Sequence, residues 1–118
     1  MAPLARNLGL VLGFVAATAG QAAPPENADP ALRDWYEHLR EPRSGYPCCS
    51  LSDCRTTQAR RGPKGWEVLV DQRFRASTEF WIPVPPEKTL DIDNPTGRAV
   101  ACYAPEAGLI CFVPGPES

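Results

Sequence analysis

The stretch RTTQARRGPKGWEVLVD, residues 55–71, has the pattern of two strands joined by a tight turn. Residues 55–60 are rich in Thr and Arg and alternate like an edge strand, whereas the GPKG sequence at residues 62–65 is typical of a turn. After the turn, Trp66, Val68 and Val70 fall on one face of a second strand. We therefore predict a β-hairpin in the middle of the chain.

Three more segments have strand character. Residues 80–84 (FWIPV) predict a strand at a sheet edge or a bulge, because Pro83 has no amide proton to donate to a neighbour. Residues 99–103 and 109–113 flank a turn and predict a second hairpin. Five short strands at this spacing indicate one small antiparallel five-stranded sheet or a partly open barrel.

The segment before these strands has a helical period. Asp29 is a suitable N-cap, Pro30 suits the first helical position, and we expect the helix to end near Arg40 because Pro42 follows. One face of this helix is apolar and consists of Leu32, Trp35, Tyr36 and Leu39. We predict an α+β fold, mostly β, in which this helix packs on the sheet and buries Leu32, Trp35 and Leu39.

The first 22 residues have the pattern of a signal peptide. Arg6 precedes an uncharged run at residues 8–19, and small residues follow it. This run is shorter than the roughly 20 apolar residues of a transmembrane helix. We therefore expect an exported protein, periplasmic or extracellular, without a transmembrane span. The rest divides into a flexible tail at residues 23–28, a single small disulfide-stabilised domain at residues 29–113, and a loose tail at residues 114–118.

The composition predicts a thin core that needs covalent support. Ile, Val, Leu and Phe make up only about 18 % of residues 23–118, below the usual level for a globular domain. The chain contains five cysteines, and small exported domains of this kind are usually stabilised by disulfide bonds. The balance of 12 basic and 14 acidic residues excludes a strongly basic nucleic-acid-binding protein.

The cysteines are the main chemistry of this sequence. The disulfide candidates are Cys48, Cys49, Cys54, Cys102 and Cys111. Neighbouring Cys48 and Cys49 are expected to take different partners, since a bond between adjacent residues is strained. Cys102 and Cys111 face each other across the second hairpin and either pair together or reach back to the first three. Because the number is odd, one thiol remains, and we expect it among Cys48, Cys49 and Cys54.

A soft-metal site is the alternative interpretation of the first three cysteines. Cys48, Cys49, Cys54 and His38 together offer sulfur and imidazole, the ligands that copper(I) and zinc prefer, although their spacing does not match a zinc motif. The chain lacks a CxxC motif and a Gly-x-Ser-x-Gly elbow, and it has one histidine. We therefore predict no catalytic residues and no cofactor.

Basic and aromatic side chains accompany the first hairpin. The basic residues are Arg55, Arg60, Arg61 and Lys64, with Arg73 and Arg75 close behind. Such a patch suits an anionic lipid headgroup or cell-wall polymer, although a solvated strand with alternating charge is the commoner explanation. Adjacent Phe80 and Trp81 must point to opposite faces of the sheet, so only one enters the core. The other either covers a second small apolar cluster or contacts a ligand.

Four stretches of the chain resemble a known family. PCCSLSDCR (47–55), WIPVPPEKTL (81–90), NPTGRAVAC (94–102) and ICFVPG (110–115) are similar to small exported alphaproteobacterial proteins of unknown function, with the pattern CC-x4-C, NPTGRAV-x-C and CFVPG. The resemblance implies an exported protein and carries no activity.

Two functions follow from these observations. The first is a non-enzymatic binding or scaffold module for a protein or an envelope polymer, with no nucleic-acid partner. The second is a periplasmic protein that handles a soft metal or thiols through Cys48, Cys49 and Cys54. In either case the protein is expected to be a monomer or a dimer linked through the leftover thiol.

Overall fold

The computed structural model describes residues 29–116, so the predicted signal peptide, the tail at residues 23–28 and the last two residues lie outside it. The helices are α1 (Pro30–Glu37) and α2 (Cys48–Leu51), and the strands are β1 (Asp53–Thr57), β2 (Ala59–Gly62), β3 (Gly65–Val70), β4 (Phe80–Pro83), β5 (Ala99–Ala104) and β6 (Gly108–Val113). Two short 3-10 turns lie at Gln72–Phe74 and Pro86–Lys88. The mostly β class is as predicted.

The strands form two antiparallel three-stranded sheets, β1-β5-β6 and β2-β3-β4, and not the predicted single five-stranded sheet or barrel. The difference arises at Gln58, where the predicted strand 55–60 divides. Before Gln58 the chain pairs with β5, and after it the chain pairs with β3. Leu69 N donates to the carbonyl of Gln58 (3.1 Å), and Thr57 Oγ1 donates to the carbonyl of Leu69 (2.7 Å). A strand that changes sheets at such a corner lets the two sheets stack.

Strand β5 is buried on both faces and separates two apolar clusters. Ala99 and Ala101 face the intersheet core, which also contains Val68, Val70, Phe74, Val84 and Phe112. Val100 and Cys102 face the helix-side core, which also contains Tyr36, Leu39, Cys48, Cys49, Cys54, Cys111 and Val113. The small alanines allow the second sheet to approach closely, while the cysteines meet the helices on the other side.

Helix α1 begins as predicted and ends earlier. The Asp29 side chain accepts from Ala31 N (2.9 Å), and Pro30 occupies the first turn. The last turn tightens at His38, whose amide donates to Trp35 O (3.1 Å), and the chain then leaves in an extended bridge from Arg40 to Pro47. This exit ends the helix before Arg40.

The apolar face of α1 packs on the helix-side core, but unevenly. Tyr36 and Leu39 are buried, whereas Leu32 and Trp35 are only half-buried. The Trp35 indole N–H donates to Asp93 O (3.0 Å), so this ring covers the edge of the core and joins the helix to the turn before β5. Full burial of Leu32 and Trp35 was therefore a wrong prediction.

Asn94 attaches the beginning of the predicted C-terminal tail. Its Nδ2 donates to Pro114 O (3.0 Å) and to Arg98 O (2.7 Å), while its Oδ1 accepts from Thr96 N (3.0 Å). Gly115 then lies so close to β5 that an added Cβ would come within 2.6 Å of Ala99 N. The described part of the tail is thus held at Pro114 and Gly115, where we expected it to be loose.

No helix within residues 29–116 is both long enough and apolar enough to cross a membrane.

Candidate functional site

The two adjacent cysteines of α2 contact different partner cysteines, as expected. The Cys48 and Cys111 sulfurs lie at disulfide distance with Cα atoms 6.1 Å apart, a usual separation for a bridge. This pair joins the start of α2 to β6 across 63 residues. Cys102 and Cys111 do face each other in the β5–β6 register, yet the partner of Cys111 comes from α2.

The remaining three sulfurs form one cluster, which we call the sulfur triad: Cys49, Cys54 and Cys102. Their Sγ atoms lie within 4.8 Å of one another, and that of Cys54 contacts both of the others. The Cα atom of Cys54 lies 5.5 Å from that of Cys49 and 4.0 Å from that of Cys102. Since a sulfur forms one disulfide bond, the oxidised triad holds one bond and one thiol.

The predicted ligand set of Cys48, Cys49, Cys54 and His38 is not assembled. Cys48 faces Cys111, and the exposed His38 ring places Nδ1 2.8 Å from Asp34 O. The third sulfur beside Cys49 and Cys54 is that of Cys102. Among residues 29–116 the triad is the one group of three metal-ligating side chains, and its sulfurs suit a soft cation such as copper(I).

That Cys102 reaches back to the first three cysteines was one of the two predicted alternatives, but the metal hypothesis did not include it, because it lies 48 residues after Cys54. Only the pairing of β1 with β5 brings the two together, and the register places them directly opposite. The alternating pattern of β5, with Val100 and Cys102 on one face, was the available signal, but it did not identify the partner strand.

Most arginines of the predicted basic patch are paired with carboxylates or carbonyl groups in the structure. Arg60 pairs with Glu67 (2.7 Å), Arg73 with Asp71 (3.1 Å) and Arg75 with the buried Asp53. Arg55 donates to the carbonyl of Cys54 (2.8 Å). Burial raises the pKa of Asp71, but the hydrogen bonds and charge of Arg73 more than offset this and leave that pKa lowered. The patch is therefore mostly a set of local ion pairs.

Arg61 and Lys64 are the exception and line a cleft at the β2–β3 turn. The cleft has a volume of about 320 Å³ and is lined by Arg61, Lys64, Gly65, Trp66, Val84, Pro86 and Thr89. The Arg61 guanidinium lies 4.3 Å from the centre of the Trp66 ring. Neither cation forms an ion pair within the part of the chain that is described, so the cleft carries unneutralised positive charge.

The adjacent aromatic residues of β4 point to opposite faces, as expected. Phe80 packs against the intersheet core, while Trp81 lies opposite Leu69 on the outer face. There Arg60 covers the Trp81 ring at 3.9 Å. The tryptophan at the cleft is Trp66, whose inner edge meets Phe112 with ring centres 5.7 Å apart.

Glu41 is a buried carboxylate that the sequence analysis did not single out. Its Oε1 accepts from Arg43 N (3.1 Å) and Ser44 N (2.6 Å), and its Oε2 accepts from Lys88 Nζ (2.9 Å). The hydrogen bond from Lys88, followed by those from Ser44, lowers the pKa of Glu41 to about 2. This group ties the turn after α1 to the 3-10 turn at Pro86–Lys88, which borders the cleft.

Comparisons of the chain with protein-family models, curated proteins and solved structures found no match. The cleft and the sulfur triad are therefore the two features of the structure from which we infer a function.

Proposed function

We propose that this protein is a non-enzymatic binding module of the periplasm or cell exterior, and that it holds an anionic cell-wall polymer in the cleft at the β2–β3 turn. This proposal rests mainly on the presence of Arg61, Lys64 and Trp66 in one cleft whose described lining contains no carboxylate. These two cations attract a negatively charged group, and the Trp66 ring holds the Arg61 guanidinium in place.

The cleft is built on a rigid support. Trp66 belongs to β3, the central strand of its sheet, and its carbonyl accepts from the amide of Val84 (2.8 Å), which also lines the cleft. The packing of Trp66 on Phe112 fixes the ring against the intersheet core. A side chain held in this way loses little freedom on binding, which favours affinity.

The chemistry of the lining favours binding over catalysis. Within residues 29–116, the side chains around the cleft include no carboxylate, thiol or imidazole, the groups that most often serve as general base or nucleophile. The volume of about 320 Å³ is at the lower end for ligand sites. One acidic residue or sugar unit of a polymer fits such a cleft, with the rest of the polymer outside.

Co-sedimentation with purified peptidoglycan sacculi tests the proposal. We expect the wild-type protein to pellet with the sacculi at low ionic strength, and we expect added salt to release it because exposed charges are screened. The double variant Arg61→Gln/Lys64→Gln should stay in the supernatant. Arg60→Gln is the matched control, since the neighbouring Arg60 is already paired with Glu67.

Two results would overturn this function. One is equal pelleting of the double variant and the wild type, with folding verified by circular dichroism. The other is binding to phosphatidylglycerol vesicles in place of sacculi, which would assign the cleft to an anionic lipid.

A further inference from the structure

We propose that Cys49, Cys54 and Cys102 form an internal disulfide-exchange triad, in which the bond at Cys54 moves between Cys49 and Cys102 and brings the free thiol to Cys49. Cys54 is the central member, because it lies directly opposite Cys102 in the β1–β5 register and its Cα atom is 5.5 Å from that of Cys49, a usual separation for a bridge. Cys48 takes no part, since it faces Cys111. This inference is independent of the cleft and of its ligand.

The step is an isomerisation that needs no outside oxidant. Starting from a Cys49–Cys54 bond, the Cys102 thiolate attacks Cys54 Sγ, the Cys54–Cys102 bond forms, and the Cys49 sulfur leaves with the electron pair of the broken bond. The proton lost by Cys102 is regained by Cys49 through solvent. One disulfide and one thiol exist before and after the step, so the oxidation state is unchanged.

The two ends of the triad differ in their access to solvent. Cys54 and Cys102 have no exposed surface, whereas Cys49 retains an exposed fraction of 6 %. The thiol form of Cys49 also has a hydrogen-bond acceptor in place, because its Sγ lies 3.5 Å from the carbonyl oxygen of Tyr36. The structure therefore assigns Cys49 as the modification site of the folded protein, supplied with its thiol by exchange from the interior.

The triad does not match a structural zinc site, because such sites use four ligands and the described residues bring together three.

Alkylation of the folded protein with iodoacetamide, after isolation without reductant, tests the proposal. Digestion with pepsin in acid then preserves the bonds, because protonated thiols do not exchange. Before alkylation we expect both Cys49–Cys54 and Cys54–Cys102 peptides. After prolonged alkylation we expect one label per chain at Cys49, and the Cys54–Cys102 peptide alone should remain, since each labelled Cys49 removes the other isomer.

Two variants serve as controls for this experiment. Cys102→Ser should hold the Cys49–Cys54 bond, Cys49→Ser should hold the Cys54–Cys102 bond, and neither should take up label. The proposal is overturned if the Cys49–Cys54 bond persists beside an unlabelled Cys102 in the wild type, or if the label falls on Cys54. Isolation of the triad fully reduced with a bound copper or zinc ion, measured by native mass spectrometry, would also overturn it in favour of a metal site.

Discussion

Cys54 and Cys102 lie directly opposite each other in the register of β1 and β5, with Cα atoms 4.0 Å apart. This pair places sulfur at the centre of the helix-side core, where β5 meets α2. On the opposite face of β5, Ala99 and Ala101 contact the second sheet. One strand thus joins the sulfur triad to the sheet that carries the cleft.

The Cys48–Cys111 pair should supply a large share of the stability. Closing a loop of 63 residues contributes about 4 kcal/mol on chain-entropy grounds. We expect Cys48→Ala/Cys111→Ala to lower the free energy of unfolding in urea by about that amount, and we expect full reduction to unfold the domain at or below 37 °C. Unchanged circular dichroism after reduction would show that the apolar clusters suffice without bridges.

Ionisation of Glu41 should make the free energy of unfolding depend on pH in the acidic range. Its folded pKa of about 2 lies below the unfolded value of about 4.3, so its contribution is present above the unfolded pKa and is lost as the pH falls from about 5 towards 2. Glu41→Gln should therefore be less stable than the wild type at pH 7 and nearly equal to it at pH 2, measured by urea unfolding. Glu37→Gln, on the exposed face of α1, is the matched control. An equal deficit of Glu41→Gln at both pH values would contradict this assignment.

Trp35 should contribute through packing and through one hydrogen bond. Because the ring is only half-buried, we expect Trp35→Ala to cost about 2 to 3 kcal/mol, below the usual range for a fully buried tryptophan. Trp35→Phe keeps most of the packing and loses the bond to Asp93 O, so it should cost about 1 kcal/mol. Thermal unfolding of both variants measures the difference, and wild-type stability of Trp35→Ala would mean that the helix face is free for a partner.

Gly115 and Gly62 provide a paired test of the packing. A Cβ at Gly115 would meet backbone, with Ala99 N at 2.6 Å, whereas a Cβ at Gly62 would meet the Glu67 side chain at 2.7 Å. A side chain moves aside more easily than a strand, so Gly115→Ala should cost about 1 to 3 kcal/mol and Gly62→Ala clearly less. Equal losses in urea unfolding would refute the close approach of Gly115 to β5.

The local features of the fold were predictable from sequence, and its long-range pairings were not. Helix α1 is indicated by neighbouring residues alone: the cap at Asp29, the proline at position 30 and the apolar period that follows. The opposite directions of Phe80 and Trp81 follow from the pleat of any strand. The division at Gln58 depends on two hydrogen bonds to Leu69, which no local pattern reveals.

The candidate sites show the same limit. The odd number of cysteines predicted a leftover thiol, but the triad needed Cys102 from a strand 48 residues away. The sequence showed that basic residues are frequent around the first hairpin. Its reduction to Arg61 and Lys64 depended on which carboxylates lie beside the other arginines, such as Glu67 opposite Arg60.

The indole resonance of Trp66 reports directly on ligand binding in the cleft. In a titration of the 15N-labelled protein with soluble acidic muropeptides, we expect the Trp66 indole signal to shift and the signal of Trp81 on the outer face to stay in place, and we expect Arg61→Gln/Lys64→Gln to abolish the shift. A Trp66 signal that does not move with added muropeptide, or that moves equally in the double variant, would show that Arg61 and Lys64 do not hold the polymer in this cleft.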